Sequence, residues 1–344
     1  MSGARGILVA LALLTRAAAP VAVEAGEYAA DFIHLGSGAD AAGMAGAWST
    51  SKSCATSFFW NPALVLDDQP FKAYVEGVSL FGGLSTYQSA ALQARVREHW
   101  ALSAGAQANL ITDIPRYAAL AEGRDLSNPD ERATGGTDGA PFDSRSTALT
   151  VGLSREFWFD MMLGQGIVRN RLPARLALGG ALRLINEELD AAGASGNGLD
   201  LGFKLMISQA AGAAAPGRKE LVLAVARQNL ISKDLAWDTP SGHADPLPAA
   251  TRAGLSWQDE LRRLGLGWRV ALEYDNLYQG TWRLGSEVDL RRQLILRGGL
   301  AMPDFGKVQP AVGAGIHVRH ALVNYAFSLH ELGGSHRVSL ELRL

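Results

Sequence analysis

The sequence is poor in cysteine, in charge and in long apolar runs, and each shortage excludes a class of protein. Its single cysteine, Cys54, excludes an internal disulfide framework and any site with several cysteine ligands. Only 19% of the residues are charged, and 32 basic against 34 acidic residues give a net charge of −2. A nucleic-acid-binding domain shows a basic excess or a basic stripe, so this balance argues against one. After residue 25 no stretch approaches the ~18 consecutive apolar residues of a membrane helix.

Glycine and apolar side chains are abundant instead. The chain has 39 glycines, and hydrophobic residues make up 48% of it. So apolar a composition excludes disorder for most of the chain. A length of 344 residues suits either two soluble domains or one large β-barrel.

The first 25 residues have the order of a secretory signal peptide. Basic Arg5 precedes the apolar stretch Gly6–Leu14, and Val23-Glu24-Ala25 resembles a cleavage site before Gly26. The apolar stretch is too short to span a bilayer. We therefore predict a signal peptide over residues 1–25 and export of the remaining chain. The alternative is a disordered or helical N-terminus of a cytosolic protein.

The second half of the chain alternates between apolar and polar or small residues with a period of two. Successive side chains of a β-strand point to opposite faces, so such a stretch has one apolar and one polar face. Between Arg263 and Glu273, the apolar positions are Leu264, Leu266, Trp268, Val270 and Leu272. The same alternation starts again at Trp282, Val308, Val323 and Val338.

Two features favour a membrane barrel over a soluble β-sandwich, which would also alternate. The alternating segments are about ten residues long, as a tilted transmembrane strand requires. Aromatic residues lie on the apolar parity, several near strand ends, as in the girdles of barrels: Trp257, Trp268, Tyr274, Trp282 and Tyr325. We therefore predict an all-β fold, a transmembrane antiparallel β-barrel of about 14 strands, in the outer membrane of a Gram-negative-type bacterium.

The predicted barrel comprises residues 70–344. Its strands are predicted to begin near Phe71, Thr86, Trp100, Thr147, Arg175, Leu199, Glu220, Thr251, Arg263, Trp282, Gln293, Val308, Ala321 and His336. Long polar connections at Thr112–Ser144, Glu188–Gly198 and Ile231–Pro248 are predicted to be extracellular loops. The tight turn Leu332–Ser335 is predicted to lie at the opposite, periplasmic end.

Residues 26–69 lack the alternation and are rich in small residues. Their marked features are Gly36, Gly38, Gly43, Gly46, the aromatic cluster Phe58-Phe59-Trp60 and the turn Asn61-Pro62-Ala63. Small residues allow close approach of backbones, and Asn-Pro favours a turn. We predict that this segment is a hatch inside the barrel. The alternative, a flexible periplasmic tail, would leave the clustered aromatic side chains in water.

These segments resemble a known family of outer-membrane proteins. The run Leu35-Gly36-Ser37-Gly38-Ala39-Asp40-Ala41-Ala42-Gly43-Met44-Ala45-Gly46-Ala47 resembles the opening motif of PorV/PorQ-type proteins, within the FadL-like barrel superfamily. The run Phe59-Trp60-Asn61-Pro62-Ala63 is similar to the Asn-Pro-Ala hatch motif of that superfamily. Near the C-terminus, the resemblance rests on Gly313-Ala314-Gly315, Asn324-Tyr325-Ala326 and Leu332-Gly333-Gly334-Ser335-His336-Arg337-Val338-Ser339-Leu340. Ala45 departs from the pattern, which has a glycine there, and Leu344 stands where such barrels commonly end in an aromatic residue.

The resemblance implies a fourteen-stranded barrel with an N-terminal hatch and two groups of site residues. The hatch motif would consist of Gly36, Gly38, Gly43, Met44, Gly46, Trp60, Asn61, Pro62 and Ala63. The C-terminal assembly strand would present Val338, Leu340, Leu342 and Leu344. The resemblance also implies contact with outer-membrane lipid.

The sequence carries no constellation that points to catalysis. It lacks an H-E-x-x-H motif, a Walker loop and a G-x-S-x-G motif. His317 and His320 differ in strand parity or flank a turn, so a shared metal is not expected. We predict no enzymatic activity, no cofactor and no metal, and we expect the charged residues of the polar parity to form ion pairs in the lumen.

Two functions follow from the resemblance, and a third, purely structural role is also possible. PorV-type proteins act as non-enzymatic partners in type IX-like protein secretion, which implies a translocon and secreted cargo as partners. FadL-like relatives are hatch-gated uptake channels for hydrophobic small molecules. The third possibility is a structural barrel with a permanently closed lumen. The motifs at both chain ends favour the first slightly.

Overall fold

The computed structural model describes residues 30–51, 54–116, 140–163, 170–210, 218–240, 242–261, 265–277, 280–304 and 306–344. The predicted signal peptide, residues 26–29 of the predicted hatch and residues 117–139 of the first predicted loop lie outside these ranges. Within them, no helix is long and apolar enough to cross a membrane.

The described chain consists of strands with a few short helices near its start. The strands are β1 Phe71–Leu80, β2 Ser85–Arg97, β3 Trp100–Ile114, β4 Phe142–Leu163, β5 Asn170–Leu189, β6 Ala192–Ala210, β7 Arg218–Trp237, β8 Ala244–Asp245, β9 Ala250–Leu261, β10 Leu266–Asp275, β11 Thr281–Leu290, β12 Leu294–Pro303, β13 Gln309–Val318, β14 Ala321–His330 and β15 Gly333–Arg343. The helices are α1 Ala39–Gly43 and α2 Ser57–Trp60, with 3₁₀ turns at Asp31–Leu35 and Phe81–Gly83.

The long strands form one closed antiparallel barrel. Each pairs with its neighbours in the chain, β7 pairs with β9 beyond the two-residue β8, and β1 pairs with β15 to close the ring. The closing register places Val75 opposite Leu340 and Lys72 opposite Arg343. The prediction of an all-β barrel with 14 strands is therefore confirmed in the described part of the chain.

The two faces of the wall differ as the alternation predicts. Outward side chains are apolar and exposed, as with Val312 and Ile316, which are 56% and 54% exposed. Inward side chains include many buried polar and charged groups, such as Glu76, Lys204 and Glu341. An apolar outer band around a polar interior is the arrangement of bacterial outer-membrane barrels. The protein is an outer-membrane β-barrel.

The ends of the barrel correct three predictions. We call the end where β1 begins and β15 ends the terminus end, and the other the loop end. The predicted loop Glu188–Gly198 is instead a hairpin, in which β5 runs to Leu189 and β6 begins at Ala192. Its glycines and acidic residues look like a loop, but Asp190 takes a left-handed conformation (φ 56°) that allows a two-residue turn. Likewise, β7 continues to Trp237, into the predicted loop Ile231–Pro248.

The third correction concerns the turn Leu332–Ser335. This turn joins β14 to β15 at the loop end, together with the connections that were predicted to be extracellular. The last hairpin turn of an even-stranded barrel lies opposite the C-terminal end of the last strand. The prediction that it lies at the other end from the long loops was therefore wrong.

Candidate functional site

Residues 30–51 and 54–66 lie inside the barrel, and we call them the lumen segment. Its backbone bonds to side chains of β1, β6, β10 and β15, and a segment that contacts all sides of a closed ring lies within it. From Gly36 to Leu66, the described residues are buried except Ala42 and Ala45, which are partly buried. The segment contains α1, α2 and the 3₁₀ turn Asp31–Leu35 but otherwise has no regular secondary structure.

Carboxylates and hydroxyls of the wall accept backbone N–H groups of the lumen segment. The Ser49 amide donates to Glu273 Oε2 at 2.8 Å, and the Ala55 amide donates to Glu341 Oε2 at 2.8 Å. The same arrangement joins Ala30 to Glu187, Gly38 to Glu76, Ala39 to Tyr74 and Leu64 to Ser154. Such bonds pair buried amides of a segment that has little secondary structure of its own.

Cations and amides of the wall donate to carbonyl oxygens of the lumen segment. Lys204 Nζ, which is fully buried, donates to the Ser51 carbonyl at 2.6 Å. Arg337 donates to the carbonyls of Leu35 and Gly36, both at 2.9 Å. Arg175 and Gln228 bind the carbonyls of Leu66 and Phe59 in the same way. The wall therefore holds the segment largely through its main chain.

Inward glycines of the wall make room for the bulkier parts of the lumen segment. A Cβ on Gly105 would lie 2.6 Å from Phe59 and 2.9 Å from Phe58. One on Gly285 would lie 2.8 Å from the Met44 methyl group, and one on Gly313 would lie 3.0 Å from the Gly43 Cα. Real Cβ atoms essentially never lie closer than 3.0 Å, so Gly105 and Gly285 need glycine, and a Cβ at Gly313 would force its neighbour to move.

The turn Asn61-Pro62-Ala63 is seated on β5, β6 and β7. Asn61 Nδ2 donates to the carbonyls of Phe203 and Val225 at 3.2 and 3.3 Å, and its Oδ1 accepts the Ala63 amide at 2.9 Å. Gly179 and Gly202 lie directly against this turn, where a Cβ would collide with it. The turn is thus fixed both by hydrogen bonds and by shape.

The other predicted hatch residues are gathered around Trp60. Its indole Nε1 donates to the Ser37 carbonyl at 2.7 Å, and its ring lies against Gly36 and Gly46, whose φ angles of +69° and +79° favour glycine. The Arg252 guanidinium lies 4.7 Å from the centre of the ring. Gly38, Gly43 and Met44 belong to the same buried stretch. Their role as a hatch stays a prediction.

The predicted assembly strand is β15. Val338, Leu340 and Leu342 point outward and are exposed, and Leu344 follows the strand. Inward residues of the same strand, Arg337 and Glu341 among them, bind the lumen segment. The proposed part of this strand in barrel assembly stays a prediction.

Burial shifts the pKa values of two side chains of the lumen segment. Burial raises the pKa of Asp40 from 3.8 to about 6, although Arg297 opposes the shift. Burial also raises the pKa of the Cys54 thiol to about 12, with a further contribution from the nearby carboxylates of Asp40 and Glu341. Cys54 is therefore a neutral thiol, and its reactivity depends on the segment staying in place.

The lumen segment has cavities on both sides. At the loop end, a cavity of about 260 Å³ is bounded by the segment itself and by β1 and β11 to β15. At the terminus end, a larger cavity of about 740 Å³ lies between β9, β10 and β11, and a smaller one of about 200 Å³ shares Arg269 and Glu287 with it. In the described residues, no three His, Cys, Asp or Glu side chains are grouped to hold a metal ion.

Sequence patterns predict ion pairs on the inward face, and the structure contains several, such as Arg183 with Asp200 and Arg297 with Glu287. What they miss is that Glu273, Glu341 and Lys204 bind main-chain groups of the lumen segment. The alternation places Glu273 and Glu341 on the polar parity but does not indicate that they bind a segment other than a neighbouring strand.

No protein-family model and no curated protein matches the sequence. Among solved structures, the chain is similar to the toluene transporter TodX of Pseudomonas putida, with a TM-score of 0.48 and 13% identity over 89% of this chain and 96% of that one. It is also similar to the outer membrane protein Omp33 of Acinetobacter baumannii, with a TM-score of 0.42 and 7% identity over 80% of this chain and 98% of that one. The similar solved structures thus include a transporter and another outer-membrane protein. At such identities they concern the fold alone.

Proposed function

We propose that the protein is a channel for small molecules that the lumen segment gates, which shares its gating with the FadL-like alternative of the sequence analysis but not the expected hydrophobic solutes. The observation that carries this proposal is the position of the segment, which separates a cavity at the loop end from cavities at the terminus end. A solute that passes between them must displace the segment. The loop-end cavity is lined in part by the segment, so a molecule bound there touches the gate.

The contacts that hold the segment suit a gate because water can replace them. They are hydrogen bonds between wall side chains and the main chain, worth about 0.5–1.5 kcal/mol net for neutral side chains and about 1.5–3 kcal/mol for charged ones. Charged groups such as Glu273 and Lys204 tolerate hydration well. The wall does not depend on the segment for its own hydrogen bonds, because each strand pairs with two neighbours.

The test measures gating and permeation in the same protein. Cys54 is the sole cysteine, so labelling by a maleimide reports displacement of the segment directly. We expect liposomes with the wild-type protein to admit small solutes slowly, and Asn61→Ala to raise both permeation and Cys54 labelling. A matched control is Asn186→Ala, an exposed asparagine of β5. Faster labelling without faster permeation would exclude the channel.

A second candidate function is that of a PorV/PorQ-type partner in secretion. The specific observation that supports it is that the resembling runs from the two chain ends contact each other inside the barrel. Gly43 packs on Gly313, and Arg337 binds the carbonyls of Leu35 and Gly36. The resemblance therefore involves one spatial cluster rather than separate short motifs.

The secretion role is tested by purifying the tagged protein from solubilised outer membranes and identifying what accompanies it. We expect a large translocon barrel, or cargo proteins that share a C-terminal domain, if this function holds. Unchanged surface cargo in a deletion strain, together with a lone barrel in the purification, would contradict it.

A further inference from the structure

The loop-end cavity has an unusual lining for a channel expected to carry apolar molecules. Its volume is about 260 Å³, near the lower limit for small-molecule sites. Its apolar part includes Leu35, Trp60 and Leu329. Its polar part consists of His34, Arg283, Gln309, Ser328, His330, Ser335 and Arg337.

The lining is cationic, because it contains two arginines and no aspartate or glutamate. Each arginine does have a carboxylate neighbour outside the lining: Asp275 pairs with Arg283, and Glu76 lies 3.7 Å from Arg337. Both acids have further partners, since Asp275 also faces Arg252 and Glu76 accepts the Gly38 amide. The cavity itself therefore offers hydrogen-bond donors and positive charge without an anion.

Two donor groups at the cavity are unused. Among the described residues, neither ring nitrogen of His34 nor Nε of Arg337 has a hydrogen-bond partner, and all three atoms are buried. Buried polar atoms are normally paired, so each unpaired one needs an explanation. An occupant that accepts hydrogen bonds would supply it.

Local electrostatics agree with a missing negative charge. Burial, and then the positive charges of Arg183, Arg252 and Arg283, lower the pKa of His34 to about 3. The ring is thus neutral and carries one N–H donor at ordinary pH.

We propose that the loop-end cavity is a binding site for a small organic anion, whose carboxylate or phosphate group lies among His34, Arg283 and Arg337. The body of the anion packs on Trp60 and Leu35, and Gln309 and Ser328 are available to its other polar atoms. Because an anion here touches both wall and lumen segment, it is the ligand class of the proposed channel. In that respect the inference rests on the proposed function.

A purely apolar molecule is disfavoured at this site. It would leave the buried donors of His34 and Arg337 unpaired, which costs about 1–3 kcal/mol for each group. Sites built to bond a polar group reject analogues that lack it far more strongly than apolar pockets reject one methylene. Selectivity for charge is thus the main expected property.

The test is isothermal titration of the purified full-length protein with benzoate, inorganic phosphate and benzyl alcohol. We expect benzoate or phosphate to bind at least tenfold more tightly than the neutral alcohol. Tighter binding of benzoate identifies a carboxylate ligand, and tighter binding of phosphate identifies a phosphate ligand. Equal affinity for benzoate and benzyl alcohol, or no binding of either anion, overturns the inference.

Variants separate the site from general effects on folding. His34→Leu and Arg283→Gln should each weaken anion binding at least tenfold, and Ala311→Leu should block the cavity while all charges remain. Arg269→Gln is the matched control, since Arg269 binds Thr50 of the lumen segment but lines only the terminus-end cavities. Anion affinity that is unaffected by the three cavity variants contradicts the site. Anion binding without permeation overturns only the channel, and permeation without anion binding overturns only this inference.

Discussion

The wall and the lumen segment are specified in opposite ways. Each wall strand is fixed by backbone ladders to two neighbours and by a period of two in its side chains. The backbone bonds within the lumen segment are local turn bonds, and its position in the barrel depends on side chains from many different strands. The wall can therefore persist when the segment is displaced. Outside the wall, the segment would lose the contacts that hold it and keep only its local turns. Four substitutions test this asymmetry.

The largest effect is expected from filling the space that the wall leaves for the turn Asn61-Pro62-Ala63. In Gly202→Leu, the new Cβ would lie 2.6 Å from the Ala63 amide nitrogen and 2.9 Å from Pro62 Cδ. Overpacking of this kind costs about 1–3 kcal/mol or more, and here the segment gives way before the ladder does. We expect rapid labelling of Cys54 with an intact, folded barrel by circular dichroism. Gly77→Leu is the control, because nothing lies within 4 Å of a Cβ at that position.

A change within the segment should have a smaller effect on the same quantity. Asn61→Ala removes two bonds to strand carbonyls and the bond to the Ala63 amide. We expect a loss of about 2 kcal/mol in the free energy of seating, since each of the two bonds to the wall contributes about 1 kcal/mol. The ratio of Cys54 labelling rates in variant and wild type measures it. A parallel loss of strand content would contradict the proposed independence of the wall.

The seating of the segment should depend on pH through Asp40. Its pKa is 3.8 when free and about 6 when seated, so the stability it contributes is complete below pH 4 and is lost as the pH rises through 6. The groups that face it are Arg297, Glu341 and Glu287. We expect Asp40→Asn to stabilise the protein by up to about 3 kcal/mol at pH 8 and little at pH 4.

The measurement for Asp40 is the ratio of Cys54 labelling rates in variant and wild type, taken between pH 4 and pH 8. Asp68→Asn, at an exposed position before β1, is the control. An equal gain for Asp40→Asn at both pH values would show that its carboxylate is not what titrates.

The smallest effect is expected at Ala45, where the resembling family has glycine. Ala45 has a φ of +52°, in the left-handed region that costs an L-residue about 1–2 kcal/mol. Glycine removes this strain but loses about 0.5–1 kcal/mol of conformational entropy on ordering. We expect Ala45→Gly to slow Cys54 labelling by an amount equivalent to about 0.5 kcal/mol. Ala47→Gly should instead accelerate it, because Ala47 is fully buried and lacks a positive φ.

The sequence predicts the strands of the wall far better than the contacts that hold the lumen segment. Strand starts at Phe71, Trp100 and Ala321 agree with the structure because alternation marks every position. The sequence does not predict the hairpin at Asp190. Its turn depends on the left-handed conformation of that residue, and the surrounding glycines and acidic residues resemble a loop. The seat of Asn61 on Phe203 and Val225 joins residues more than 140 positions apart, and no periodicity encodes such a contact.

The long-range contacts of β15 also impose an order on assembly. Arg337 binds Gly36 across 301 positions of sequence, and Glu341 binds Ala55 across 286. The residues that precede β1 therefore wait for the last strand to be made before these bonds can form. The lumen segment lies near the start of the chain, and its contacts include the last strand. It could therefore enter an already closed barrel only by threading into it. The simplest assembly is one in which the growing sheet curls around the lumen segment and β1 pairs with β15 last.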